Sequence, residues 1–163
     1  MSSSADADGG AVTQQELASR VADLATARGE TVAVAESLTS GKIAAALGAA
    51  PEAATWLRGG VVAYHPEVKR NVLNMPDVPV VSRPAAEALA KNVRTLLGAD
   101  IAVAVTGVGG PEPSDGEPAG TVWFGTASEA GVTACSAHFD GEPDEVLDQT
   151  VRFALTCLLG RIS

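Results

Sequence analysis

The chain has 163 residues, 46% of them hydrophobic and 4% aromatic, and a formal net charge of −9. That length holds one domain with a proper core and is too short for two of ordinary size. The acidic balance argues against a phosphate-backbone binder, and the scarcity of rings against a stacking platform for single-stranded nucleic acid, although a few backbone N–H groups and a basic side chain still suffice for one small anion.

Met1 to Val12 is small, polar and acidic, which reads as a disordered lead-in (1–12) to a single domain (13–163). The first residues lack the basic start and apolar run of a secretory signal, and no stretch is long enough to span a bilayer, so the expected compartment is the cytoplasm. Leu17, Val21 and Leu24 recur at helical spacing between Thr13, a plausible cap, and Gly29, a stop. Val32 to Ala35 is a continuous apolar run, as expected of a strand covered on both faces, and a helix follows from Lys42 to Leu47. Arg58 to Tyr64 reads as a second strand entered through Gly59-Gly60, and Pro66 opens a short helix to Leu73.

Pro84 to Leu97 is the clearest helix, with Ser82 just before it, Ala86, Leu89, Ala90, Val93 and Leu97 on its buried side and Gly98 at its end. Ile101 to Val105 is another apolar strand, followed by a Gly- and Pro-rich loop, Gly107 to Ala119, long enough to suggest a functional role. Thr121 to Thr126 and Val132 to Phe139 read as an antiparallel pair, and Pro143 to Leu159 as a last helix carrying Val146, Leu147, Val151, Ala154, Leu155 and Leu158 inward. The expected fold is a three-layer α/β/α sandwich with a mixed, mainly parallel sheet. Cys135 and Cys157 have no metal-ligand spacing and are read as buried thiols, and no metal or cofactor is expected.

Two of these strands end in hydroxyls and glycines: Glu36-Ser37-Leu38-Thr39-Ser40-Gly41 after the first, and Thr106-Gly107-Val108-Gly109-Gly110 after the strand at Ile101. The C-terminal edge of an open α/β sheet is where ligands bind. Hydrolysis of a carboxamide needs a nucleophile, a base and donors for the tetrahedral oxyanion. Ser37 is the candidate nucleophile, and Tyr64 and Lys69 are candidates for the proton relay. As a base, Lys69 must lose its proton, and lowering its pKa from ~10.4 by about three units costs roughly 4 kcal/mol. A charged Lys69 would instead stabilise an oxyanion or hold phosphate. Glu36 either orients Tyr64, Lys69 or a ligand hydroxyl, or satisfies buried backbone N–H groups at the turn. The glycines let a loop backbone approach a ligand closely.

Taken together, the Ser37 turn, Gly59-Gly60-Val-Val-Ala-Tyr64-His65-Pro66-Glu67-Val68-Lys69 and Thr106-Gly107-Val108-Gly109-Gly110-Pro111 resemble the C-terminal domain of the CinA proteins, which also occurs alone as nicotinamide mononucleotide deamidase. The likeness runs from about Gln15 to Leu159. It implies an amidohydrolase that converts the carboxamide of nicotinamide mononucleotide to a carboxylate with release of ammonia, in pyridine nucleotide recycling. It implies Ser37, Tyr64 and Lys69 as catalytic groups. The expected substrate-binding set is Glu36, Thr39, Ser40, Gly41, Gly60, Thr106, Gly107, Gly109 and Gly110, with the last loop holding the phosphate and ribose. The resembling domains are often oligomeric, and a homodimer is the expectation.

This chain departs from the family's pattern at Ser40, where a glycine is usual, and at Glu142-Pro143 and Val146-Leu147, where arginines are common. Glu117 stands where a lysine is frequent, while Lys42 and Arg152 are candidate replacements for the lost charge. An alternative reading is therefore a catalytically weak or inactive nucleotide-binding module with a regulatory or docking role.

Overall fold

Local signals account for most element boundaries in the computed structural model, which describes residues 11–162. The expected lead-in lies almost wholly outside the described residues. Helix α1 (Gln14–Arg28) starts where the Thr13 hydroxyl accepts the Glu16 N–H and ends at Gly29, whose left-handed φ of 64° suits a residue without Cβ. Helix α5 (Arg83–Leu97) is bounded in the same way by the Ser82 hydroxyl, which accepts from the Ala85 N–H, and by Gly98. Pro66 opens α4 (Pro66–Leu73) and Pro143 opens α6 (Pro143–Ile162), where a missing N–H costs nothing.

Strands β1 (Val32–Glu36), β2 (Leu57–Val62), β3 (Ile101–Gly107), β4 (Thr121–Ser128) and β5 (Gly131–His138) form one sheet in the order β2-β1-β3-β4-β5. β1 runs parallel to both β2 and β3, whereas β4 and β5 are antiparallel additions, so the sheet is mixed as expected. β1 and most of β3 are buried throughout, because helices cover both faces. On one face, α1, α2 (Lys42–Gly48), α3 (Ala53–Trp56) and α6 enclose a core with Val32, Val34, Val103 and Val105. On the other, α5 packs on Ala33, Ala35, Ala102 and Ala104, with Leu73 of α4 and Met75 in the same cluster. The small residues face the helix that lies closest: a Cβ added at Gly125 of β4 would fall 2.1 Å from the Ala86 carbonyl oxygen of α5.

Helix α3 was not expected, being one turn long and without an apolar period. It is held by Trp56, whose indole N–H donates to the Pro51 carbonyl. Strand β2 begins one residue earlier than its sequence reading and carries a bulge: Val32 pairs with Leu57, but Ala33 pairs with Gly59. Cys135 and Cys157 are corrected too, since Cys135 is exposed on β5 and Cys157 is half-buried on α6. Edge strands of an antiparallel extension are covered less completely than the central strands. No helix among the described residues is long and apolar enough to cross a membrane.

Candidate functional site

The chain leaves β1 at Ser37, returns through β2 on one side, and then crosses to β3 on the other. Its connections therefore diverge at the C-terminal end of β1, with α2 above the sheet and α5 below it. Such a switch point leaves a crevice between the outgoing segments. The ladder carries on past the end of β2, the Ala63 N–H donating to the Glu36 carbonyl at 2.8 Å, a register that sets Ala63 beside Ser37 and Tyr64 one residue further on. A cleft of about 570 Å³ opens there, lined by Ser37, Leu38 and Ser40 from the β1 turn, Tyr64, Pro66 and Lys69 from the β2–α4 segment, and Gly107 to Gly110 after β3. The Gly110–Pro111 bond within that last segment is cis.

Lys69 occupies the buried side of α4 with Leu73, one turn on, while Val68 and Val72 are 37% and 44% exposed. This inverts the usual preference, in which lysine is among the residues most rarely buried. With 2% of its surface exposed, Lys69 donates from Nζ to the Tyr64 carbonyl at 3.3 Å. Burial pushes its pKa down, and the negative charge of Asp115 partly opposes that shift. The Tyr64 ring is 67% exposed at the rim. The cleft thus joins a serine hydroxyl at the mouth of β1, a phenol and a lysine whose pKa burial lowers. These are the parts of a serine nucleophile with a basic partner.

Several expected binding residues lie elsewhere. Glu36 is 2% exposed and points away from the cleft into the start of α2: its Oε1 accepts the Ile43 N–H and its Oε2 the Ala44 N–H, both at 2.9 Å. Of the two sequence readings of this residue, the geometry selects satisfaction of backbone N–H groups. The same bonds leave neither of those helix N–H groups for a substrate anion. Thr39 is fully buried behind the turn, with no protein partner for its hydroxyl, and Thr106 donates its hydroxyl to the Val80 carbonyl. Neither lines the cleft. Gly41 sits at φ 102° as the residue before α2, and Gly60 packs against β1, where a Cβ would come within 2.6 Å of Val34 Cγ2. Ser40, Gly107, Gly109 and Gly110 do line it. Ser40 has φ 52°, a left-handed conformation that costs a non-glycine residue ~1 kcal/mol and so holds its side chain at the rim against local preference.

Lining residues that were not expected come from further along the chain: Glu112, Ser114 and Asp115 of the long loop, Val80 and Val81 before α5, and Pro143 and Leu147 of α6. The length of the Gly107–Ala119 loop was the one sequence signal that pointed to the acids. Pro143 and Leu147 take places where the resembling family commonly has arginines, so the wall there is apolar. The candidate substitutes do not fill the gap: Lys42 is exposed outside the cleft, and Arg152 pairs with Asp148 at 2.9 Å and does not line it. His65 caps α4 by accepting the Glu67 N–H, and His138 lies half-exposed beside Asp140.

The family model of the CinA C-terminal domain matches residues 14–162. A competence-damage inducible protein of Desulforamulus reducens is 44% identical over 132 residues, which cover 78% of this chain and 32% of that protein. One of Geobacillus sp. is 39% identical over 140 residues, covering 82% and 34%. This chain therefore spans about a third of the length of these curated relatives. Among solved structures, a CinA superfamily protein from Klebsiella pneumoniae superposes with a TM-score of 0.88 at 38% identity, covering 93% of this chain and 98% of the other.

Proposed function

Because the chain belongs to the CinA C-terminal domain family, we propose that it is a carboxamide hydrolase whose reaction is the deamidation implied for nicotinamide mononucleotide. The observation that carries this reading is the buried Lys69 on the same cleft wall as Ser37 and Tyr64. Ser37 Oγ attacks the amide carbonyl carbon and gives up its proton to Lys69, directly or through Tyr64 or water. Collapse of the tetrahedral intermediate breaks the C–N bond, and ammonia leaves with a proton returned by the same group. Water then hydrolyses the ester to a carboxylate and regenerates the serine. Gly107, Gly109, Gly110 and Ser40 would hold the remainder of the substrate, as the glycine loop can present its backbone closely.

The test is ammonia release from nicotinamide mononucleotide by the purified protein. Ser37→Ala is expected to lower turnover by about a thousandfold or more without loss of fold, and an active Ser37→Ala protein would remove the nucleophile role. A nucleotide-binding module without turnover is the second reading, favoured by the apolar wall at Pro143 and Leu147. Stabilisation by the mononucleotide without ammonia release would select it. A cytoplasmic role in nucleotide recycling belongs to the same proposal. So does a homodimer, for which the exposed Val62, Val68 and Val72 supply apolar surface.

A further inference from the structure

We infer that Cys135 and Cys157 form a redox modification site, a thiol pair that a low-molecular-weight disulfide oxidises to a bridge between β5 and α6 within one chain. The two residues are distant in sequence, and it is the course of α6 along the sheet that brings them together. Cys135 pairs across the ladder with Phe124, and residues directly opposite in a ladder point to the same face. Helix α6 covers that face, since the Phe124 and Phe153 ring centroids are 4.4 Å apart. Thr133, two residues before Cys135 and so on the same face, accepts a hydrogen bond from Arg161 Nη1 at 3.3 Å. Phe153, Cys157 and Arg161 follow one another at intervals of four residues, which sets them on one side of α6. With Phe153 held against Phe124 and Arg161 against Thr133, the helix turn between them places Cys157 beside Cys135.

The two thiols also affect each other. Burial pushes the Cys157 thiol up to about 12, and the neighbouring Cys135 adds to the rise through its charge and a hydrogen bond between the side chains. Cys135 is exposed and Cys157 half-buried, which sets the order of reaction. The Cys135 thiolate attacks one sulfur of the small disulfide, whose S–S bond breaks to release a thiolate, and a mixed disulfide forms on Cys135. Cys135 then carries neither charge nor S–H, so both of its contributions to the raised pKa of Cys157 vanish. The Cys157 thiolate attacks the Cys135 sulfur, the Cys135–Cys157 bond forms, and the second half of the oxidant leaves as a thiolate. The two protons given up by the cysteines end on the two small thiols; the protein loses two electrons and the oxidant gains them. Neither cysteine lines the cleft, so the site is independent of the hydrolase reading.

Oxidised glutathione is the probe. The purified protein is incubated with it, alkylated with iodoacetamide under denaturing conditions, and analysed by mass spectrometry and non-reducing electrophoresis. The parent chain is expected to lose two hydrogens, take up no alkyl group and show no cross-link between chains, and the bridge should raise Tm by about 5 °C by restricting the unfolded chain. Cys157→Ser should stop at the first step and keep one glutathione on Cys135. Cys135→Ser, left with the half-buried thiol, should react at least about tenfold more slowly than the parent. A parent protein that retains glutathione on Cys135, that links to a second chain through Cys135, or whose bridge lowers Tm would overturn the inference.

Discussion

Replacing Glu36 separates a residue that builds the site from one that touches substrate. Its carboxylate takes two backbone N–H bonds at 2.9 Å at the start of α2, and only 2% of it is exposed. A hydrogen bond to a charged group is worth about 1.5–3 kcal/mol, and the favourable end of the helix dipole adds about 0.5 kcal/mol. Glu36→Ala therefore removes about 3.5–6.5 kcal/mol, less whatever a water entering the vacated space restores, and a net loss of about 3 kcal/mol is expected. For a chain of this size that lowers Tm by about 6–12 °C. Glu36→Gln keeps one acceptor but turns an amide NH2 toward the second N–H, so it should cost about 2 kcal/mol.

Equilibrium urea denaturation followed by far-UV circular dichroism measures the loss, and an unchanged slope with denaturant keeps the comparison within two states. The fluorescence of Trp56, buried in the core that α2 and α3 share, should report the loosening locally. A Glu36→Ala protein within about 0.5 kcal/mol of the parent, yet devoid of activity, would refute the structural role and return Glu36 to the substrate.

Lys69→Met should abolish turnover while raising stability at neutral pH, since a buried ammonium is replaced by an apolar chain of similar length. The sign follows from linkage: folding lowers the pKa of Lys69 from its ordinary 10.5, so the unfolded chain binds the proton more tightly. The stability penalty is fully present below the folded-state value and is relieved as pH rises toward 10.5; urea midpoints at neutral and alkaline pH should converge between variant and parent. If Lys69 is the base, kcat/KM in the parent rises with pH on a limb whose midpoint lies below 10.5, and a rate that falls along that limb would assign it the charged role. Gly125→Ala places a Cβ 2.1 Å from the Ala86 carbonyl oxygen and should cost about 3 kcal/mol or more by forcing α5 off the sheet, seen as a large fall in Tm. By contrast Gly160→Ala in α6, where among the described residues no atom outside its own helix backbone and chain neighbours comes within 4 Å of the new Cβ, should gain about 0.5 kcal/mol, and a loss there would contradict that spacing.

The elements legible in the sequence were those specified by neighbours along the chain. Thr13 and Ser82 cap helices, and Gly29 and Gly98 end them, through bonds that span a single turn; Pro66 and Pro143 open helices because each proline fixes its own φ. The apolar runs of β1 and β3 likewise announced strands covered on both faces. Ser37, Tyr64 and Lys69 were readable as candidates because short segments place each beside a strand end. Their meeting in one cleft was not, since it depends on β2 and β3 lying on opposite sides of β1. The register bulge at Arg58 and the single-turn α3 escaped for the same reason.

What the sequence by itself determined was where the chain turns and which hydroxyls and glycines stand at the turns. Tertiary structure alone decided which polar groups are already used. Helical spacing in α4 allows either Lys69 or Val68 to face inward, and packing against α5 beneath the sheet chose the lysine. Glu36 could reach a ligand or a helix start, and the approach of α2 gave its carboxylate to Ile43 and Ala44. A side chain's hydrogen-bonding capacity is written in its own chemistry, but the partner that exhausts it comes from a distant segment brought close by folding.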